Sequence, residues 1–409
     1  MVDPNEWEST YRELRARLEA HGVDVDWVEE KVMNLAVETP SWGYGDSGTR
    51  FKVFHQPGVP RNVFEKFEDA AQVHKLTGIA PSVAIHIPWD KVDDFNALKK
   101  HAADLGLRVG AVNPNLFQDD DYKFGSVTNT DARVRRKAVE HMLECVEIAK
   151  EVDSKLFTPW FADGTNYPGQ GHFRTRLAWM LEALTEVYEA MPEHMVMAIE
   201  YKFFEPAFYH TDVPDWGTSY LLCTKLGPRA KVLVDLGHHP LATNIAYIVA
   251  TLLAEERLGG FHFNSRKYAD DDLTVGSIDP YELFLIYNEL VDAELDPNVP
   301  FHVAYMLDQS HNIKPKIEAM IQSVLSVQET YARALLVDRE ALARAQNENR
   351  VIDAEMTLRR AFWTDVQPLL AHARAERGLP VNPLLAYRES GYQRKIEKER
   401  VGGKPAGWA

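Results

Sequence analysis

Four short apolar runs in the middle and second half of the chain close on residues able to bind hard cations. MVMAIEYK carries Glu200 and Lys202, KVLVDLGHH carries Asp235 and His238, GGFHFNSRKYADDD carries His262 and then Asp270 and Asp272, and VAYMLDQSHN carries Asp308 and Ser310. Taken singly, an acid after such a run is an ordinary helix N-cap or surface partner, and a lone histidine an ordinary semi-buried side chain. The conjunction carries the chemistry. Carboxylates and imidazoles without a thiolate favour Mn²⁺, Mg²⁺ or Co²⁺, with Zn²⁺ possible, over soft metals. If the runs end side by side, Glu200, Asp235, Asp270, Asp272 and Asp308 crowd one rim. Like charges that close raise one another's pKa values and oppose folding unless cations compensate. Two divalent ions would nearly neutralise them, with Glu200 central enough to bridge both.

The elements that must position these residues follow from the hydrophobic period. Strand-like runs fall at Val32–Glu38, Ser82–Pro88, Arg108–Asn113, Leu156–Phe161, Met195–Tyr201, Lys231–Asp235, Gly260–Phe263 and Phe301–Leu307. Between them the spacing predicts helices at Val63–Leu76, Asp93–Leu105, Ala132–Val152, Phe173–Met191, Ser219–Leu226, Ile245–Leu258 and Pro280–Leu295. Gly78, Gly106, Gly227 and Gly259 follow helical segments, where a left-handed cap favours glycine. Near-continuous apolar strands alternating with helices predict a closed parallel α/β barrel, a (β/α)8 TIM barrel, whose strand ends form the mouth. An open nucleotide-binding sheet is the weaker choice, because SWGYGDSGTRFKVF after the first strand holds neither a phosphate-binding glycine pattern nor an immediate helix.

The barrel is expected over residues 32–327, with a helical lead-in over 1–31 (Trp7–Ala20) and a charged helical extension over 328–409 that could contact other subunits. Residues 41–61, holding Trp42, Tyr44, Phe51 and Phe54, form a long patternless connection of the kind that serves as a lid or an interface.

Composition narrows the partners. With 45 Lys and Arg against 61 Asp and Glu, the net charge of −16 disfavours nucleic acid and anionic membrane surfaces. Two cysteines, Cys145 and Cys223, cannot build a disulfide framework. An acidic N-terminus without a signal-peptide pattern leads us to expect a cytoplasmic enzyme.

The Glu-x-Lys, Asp-x-x-His, His with Asp-x-Asp, and Asp-x-Ser endings of the last four strands together resemble the two-metal aldose isomerases of the xylose-isomerase-like barrels. Within these the resemblance is greatest to the L-rhamnose isomerases of the broad-specificity branch, over about residues 30–330. It implies a homotetramer acting on a small aldose or ketose, with L-rhamnose, L-mannose and D-allose as candidate substrates. One ion would be held by Glu200, Asp235, His262 and Asp308, and a second, catalytic ion by Glu200, His238, Asp270 and Asp272. Lys202 would contact the carbonyl end of the sugar, Trp160 and Trp42 would form aromatic walls, and His86 and Ser310 would meet hydroxyls. In that family the loop after the first strand reaches a neighbour's pocket. The implied reaction is a metal-assisted 1,2-hydride shift, with Asp308 moving the hydroxyl proton between O1 and O2, in preference to an enediol route. A ketose 3-epimerase or a non-catalytic sugar-binding barrel is the alternative.

Overall fold

Side chains alternate across a strand with a period of two, and in a closed barrel one set of alternate residues must fill the interior. The computed structural model describes residues 7–47, 53–204, 209–268, 270 and 272–401. Its parallel barrel strands are β1 (Val37–Pro40), β2 (Ser82–Ile87), β3 (Arg108–Pro114), β4 (Leu156–Phe157), β5 (Val196–Glu200), β6 (Ala230–Asp235), β7 (Leu258–Phe263) and β8 (Ala304–Leu307). They pair in chain order, and β8 closes on β1 through Val37 against Tyr305 and Glu38 against Met306. Ala84, Ala111, Ala198, Leu233 and Met306 pack together as one buried apolar cluster, with Trp42 above. Two residues further along three of these strands stand Glu200, Asp235 and Asp308. The period that buries the apolar layer therefore lifts the acids one layer nearer the mouth.

Below the mouth, a carboxylate enters the barrel from β1. Glu38 Oε1 accepts the Ala111 N–H at 2.9 Å. A Cβ on Gly110 would stand 1.7 Å from Glu38 Oε2, so this position on β3 has no room for a side chain.

The barrel helices are α3 (Val63–Thr77), α4 (Phe95–Asp104), α5 (Ala132–Glu151), α6 (Phe173–Ala190), α7 (Trp216–Leu226), α8 (Ile245–Ala254), α9 (Pro280–Leu295) and α10 (Lys316–Leu335), the last running through residue 327. Side chains of Asn62, Asp94, Asp131, Asp215, Asn244 and Asp279 accept N-terminal amides, as capping requires. Cys145 and Cys223 are buried, unpaired residues of α5 and α7. Before the barrel come α1 (Trp7–Glu19) and α2 (Val25–Asn34). After it follow α11 (Arg339–Asn347), α12 (Val351–Phe362), α13 (Gln367–Glu376), α14 (Pro383–Ser390) and α15 (Tyr392–Glu399). Arg400, just past α15, clasps Asp69 of α3 with two hydrogen bonds of 2.9 Å.

Four expectations shift. Val32 lies in α2, not in a strand, because Asp24 caps the Trp27 amide and Val25, Val28 and Val32 recur at helical spacing. The first strand therefore starts at Val37. The fourth strand ladder stops at Phe157, ahead of Pro159, although Phe161 remains buried. The eighth starts at Ala304, not Phe301. Helix α8 ends at Ala254, the left-handed turn falls on Glu256 at φ 55°, and Gly259 belongs to β7. There a Cβ would meet Lys231 Cβ of β6 at 2.9 Å, so the glycine serves strand approach. Of the 41–61 connection, Trp42 and Tyr44 are buried in a short 3-10 turn, and Phe54 is half exposed. Phe51 lies outside the described residues. Among the described residues, no helix is long and apolar enough to cross a membrane.

Candidate active site

The parallel register of β5 to β8 brings their ends together, Asp235 lying directly across from His262 and Met306 across from the same histidine. Glu200 Oε1 stands 3.1 Å from His262 Nδ1 and 3.2 Å from His238 Nδ1. His262 Nδ1 is 3.6 Å from Asp308 Oδ2 and 3.8 Å from Asp235 Oδ2. On the other side of Asp235, His238 Nε2 lies 4.0 Å from its Oδ1 and 3.6 Å from Asp270 Oδ1. Lys202 Nζ donates to Asp270 Oδ2 at 2.8 Å.

Two groups of potential metal ligands result, each with its donor atoms within 4.8 Å of one another: Glu200, Asp235, His262 and Asp308, and Asp235, His238 and Asp270. Asp235 is the member common to both, where the sequence placed Glu200. Asp272 is buried nearby with a left-handed backbone, φ 45°, and belongs to neither group. Ser310 is buried two residues beyond Asp308 and is likewise in neither.

Supporting contacts fix the shared acid. Asn264 Nδ2 donates to both oxygens of Asp235, at 2.9 and 3.1 Å, and the Gly237 N–H donates to Oδ1 at 2.6 Å. A Cβ on Gly237 would meet Asp270 Oδ1 at 2.9 Å and Asp235 Oδ1 at 3.1 Å. Sequence reasoning passed over Asn264, although it stands two residues beyond His262.

Charge crowding perturbs every titration here. Burial raises the Asp235 carboxyl, and despite His238 the neighbouring Glu200, Asp270 and Asp308 help hold it at about 7. Burial raises Asp272 well above the carboxylate range, Asp270 adding to it. Burial would lower His238, but Asp235 and Asp270 outweigh it and push it up to about 9. Burial would lower His262 too, yet Glu200, with Asp308 and Asp235, lifts it to about 10. Burial opposes the charge of Glu200 and Asp270 too, but His262 and His238 lower Glu200, and Lys202 and His238 hold Asp270 well below the carboxylate range; a cluster so divided between held and released protons is one whose charge a bound cation would rebalance. Asp270 Oδ1 and Asn264 Oδ1 are moreover buried without a hydrogen-bond partner among the described residues. Hard oxygen and imidazole donors, mutual proximity and unpartnered acceptors all fit divalent ions.

The opposite half of the mouth is aromatic. Trp42, after β1, donates its indole N–H to Asp308 Oδ1 at 2.8 Å and meets His86, of β2, edge-on at 5.6 Å between ring centres. His86 stacks on Trp89 at 3.9 Å, and Phe117 meets Trp160 edge-on at 4.8 Å. Lys202 Nζ lies 5.0 Å from the centre of the Trp160 ring. His86 Nδ1 and Trp160 Nε1 are buried without hydrogen-bond partners among the described residues. Burial holds the His86 pKa well below its usual value, so the ring is neutral. Trp89 and Phe117 were missed in the sequence. Each follows the end of an apolar run, the same signal that marked Trp42 and Trp160.

Comparison with known proteins agrees with this geometry. The chain is 51% identical to a probable sugar isomerase of Rhizobium meliloti (strain 1021), over 95% of this chain and 92% of that one. It is 49% identical to a probable sugar isomerase of Mesorhizobium japonicum, over 96% and 92%. Among solved structures, an L-ribulose 3-epimerase superposes with a TM-score of 0.55 at 13% identity, covering 74% of this chain and 98% of that one, a likeness of fold alone. The model of the xylose isomerase-like TIM barrel matches residues 68–289. With a closed eight-stranded parallel barrel and an acid–imidazole rim at its mouth, the chain belongs to the xylose isomerase-like TIM barrel family.

Proposed function

We propose that the protein is a metal-dependent aldose–ketose isomerase that interconverts L-rhamnose and L-rhamnulose and accepts related aldoses such as L-mannose and D-allose. The observation that carries this reading is the pair of acid–imidazole groups joined at Asp235, flanked by Lys202 and faced by an aromatic wall. The names of the two bacterial relatives, both probable sugar isomerases, support the reaction class. In this reading Glu200, Asp235, His262 and Asp308 hold one divalent ion. Glu200, His238, Asp270 and Asp272 would hold a second, with Asp235 placed to join them. Mn²⁺ is favoured, with Co²⁺, Mg²⁺ and Zn²⁺ as substitutes. When bound, such ions supply Lewis acidity to the oxygens on C1 and C2.

The chain's own residues do the rest. In the opened aldose the hydrogen on C2 moves with its electron pair to C1, and the proton on O2 passes to O1. Asp308, steadied by the Trp42 indole, carries that proton. Lys202, held by Asp270, donates to the carbonyl oxygen on which charge builds. Trp42, Trp160, Trp89 and Phe117 keep water from the migrating hydrogen, and His86 and Ser310 meet sugar hydroxyls. In this reading the working assembly is a cytoplasmic homotetramer, in which the connection after β1 reaches a neighbour's pocket and the helices after the barrel contribute contacts.

The test is kcat/KM across a panel of aldoses with Mn²⁺ supplied, together with L-rhamnose deuterated at C2. Conversion to ketose with deuterium retained at C1 is expected. Wash-out into solvent would replace the hydride shift by an enediol route. Conversion of ketoses into their C3 epimers alone would favour the epimerase, and stoichiometric metal without turnover of any sugar would leave a binding barrel.

A further inference from the structure

We propose that Arg176 and Asp212 are positioning residues that hold the backbone of Lys202, and through it aim the ammonium at Asp270 and the Trp160 face. The proposal rests on the role given above to Lys202. Strand β5 ends at Glu200, so Lys202 already lies beyond the barrel ladder. A second segment grips it instead. The Lys202 N–H donates to the Val213 carbonyl at 3.0 Å, and the Lys202 carbonyl accepts from the Thr211 hydroxyl.

The residue between those two grips is Asp212. Arg176, on α6, donates to it through Nε at 3.1 Å to each oxygen and through Nη2 at 2.7 Å, with both side chains almost fully buried. The same guanidinium donates to the carbonyls of Thr128, at 3.1 Å, and Gly164, at 3.0 Å. The Asp212 N–H donates to the Asp163 carbonyl at 2.8 Å. Asp163 in turn accepts the amides of Ser126 and Thr128, each at 2.8 Å, and receives both hydroxyls. Residues 211–213 are thus pinned from below by one arginine that also ties down the loops after β3 and β4.

A buried ion pair of this kind adds little net stability, because desolvation consumes most of the attraction. It does fix geometry. A lysine on a flexible four-carbon stem delivers its charge accurately when its backbone cannot shift, and a displacement of about 1 Å at a reacting group can cost on the order of a hundredfold in rate.

The test uses metal-loaded full-length enzyme carrying Asp212→Asn, Thr211→Val, Lys202→Met, and Asp212→Asn combined with Lys202→Met. Asp212→Asn and Thr211→Val should each lower kcat by about tenfold or more with bound metal unchanged, and the double variant should be no slower than Lys202→Met alone. Multiplicative losses in the double variant would overturn the proposal, as would single variants within twofold of the parent. If Asp212→Asn does not fold, Thr211→Val carries the kinetic test. A crystal structure of either single variant provides a readout independent of turnover. Lys202 Nζ displaced from Asp270 supports the proposal, and Lys202 unmoved refutes it. Full activity of Lys202→Met would remove the substrate role of Lys202, a separate failure, and the crystallographic result would still decide the positioning.

Discussion

Replacing Trp42 by phenylalanine separates two jobs that one side chain performs. The indole is buried against the barrel's inner apolar layer and also donates to Asp308 Oδ1 at 2.8 Å. Phenylalanine keeps an aromatic surface and removes the donor. A hydrogen bond to a charged group contributes about 1.5–3 kcal/mol, and at about 1.36 kcal/mol per tenfold in rate its loss lowers kcat by about 10- to 150-fold. The change should fall on kcat, because Asp308 is then free to turn away from the sugar hydroxyls while the apolar wall that binds substrate persists. KM should move by less than about threefold, since burial of the ring is largely retained. Steady-state kinetics on metal-loaded enzyme measures both constants, with metal content confirmed by elemental analysis. In an Asp308→Asn background the same replacement should cost nothing further. A raised KM at unchanged kcat would show that Trp42 is only a wall.

Asn264→Ala should weaken divalent metal binding by about 10- to 100-fold, because Asp235 loses the amide that orients both its oxygens; competition with a chelating dye reads this, and unchanged affinity would show that the Gly237 amide suffices. Arg400→Met should lower unfolding free energy by about 3–5 kcal/mol at pH 8, since Asp69 is left buried and uncompensated. Burial, opposed by Arg400, raises the Asp69 carboxyl to about 6. Folded Asp69 therefore holds a proton that the unfolded chain gives up near pH 4, so its contribution to stability is present at low pH and is lost as pH rises through about 6. The penalty in the variant should accordingly be smaller at pH 5 than at pH 8, and equal denaturant midpoint shifts at both pH values would refute the argument.

The barrel and the polar half of its mouth were legible in the sequence for one reason: strand ends in a closed parallel sheet converge. Polar residues that close consecutive apolar runs must therefore meet, and Glu200, Asp235, His262 and Asp308 do. The first strand starts later than the Val32–Glu38 run suggests, because Val32 completes a helical stripe with Val25 and Val28 that the Asp24 cap begins. The membership of Asp235 in both groups could not be read, because it depends on which carboxylate oxygen faces which imidazole. Asn264 and the Arg176–Asp212 pair escaped for a related reason. They belong to no recognisable motif, and their partners are distant in sequence.

The mouth is divided along the chain. Strands β1 to β4 and the loops that follow them provide Trp42, His86, Trp89, Phe117 and Trp160, whereas β5 to β8 provide the acids, the two rim histidines and Lys202. A closed ring has two borders between such halves, and a tryptophan stands at each: Trp42 bonded to Asp308 where β1 meets β8, and Trp160 beneath Lys202 where β4 meets β5. On the proposed function, sugar preference would drift by exchange of His86, Trp89 or Phe117 while the acids, the rim histidines and Lys202 stay intact. The two border tryptophans lack that freedom, because each touches both the aromatic and the polar half of the mouth.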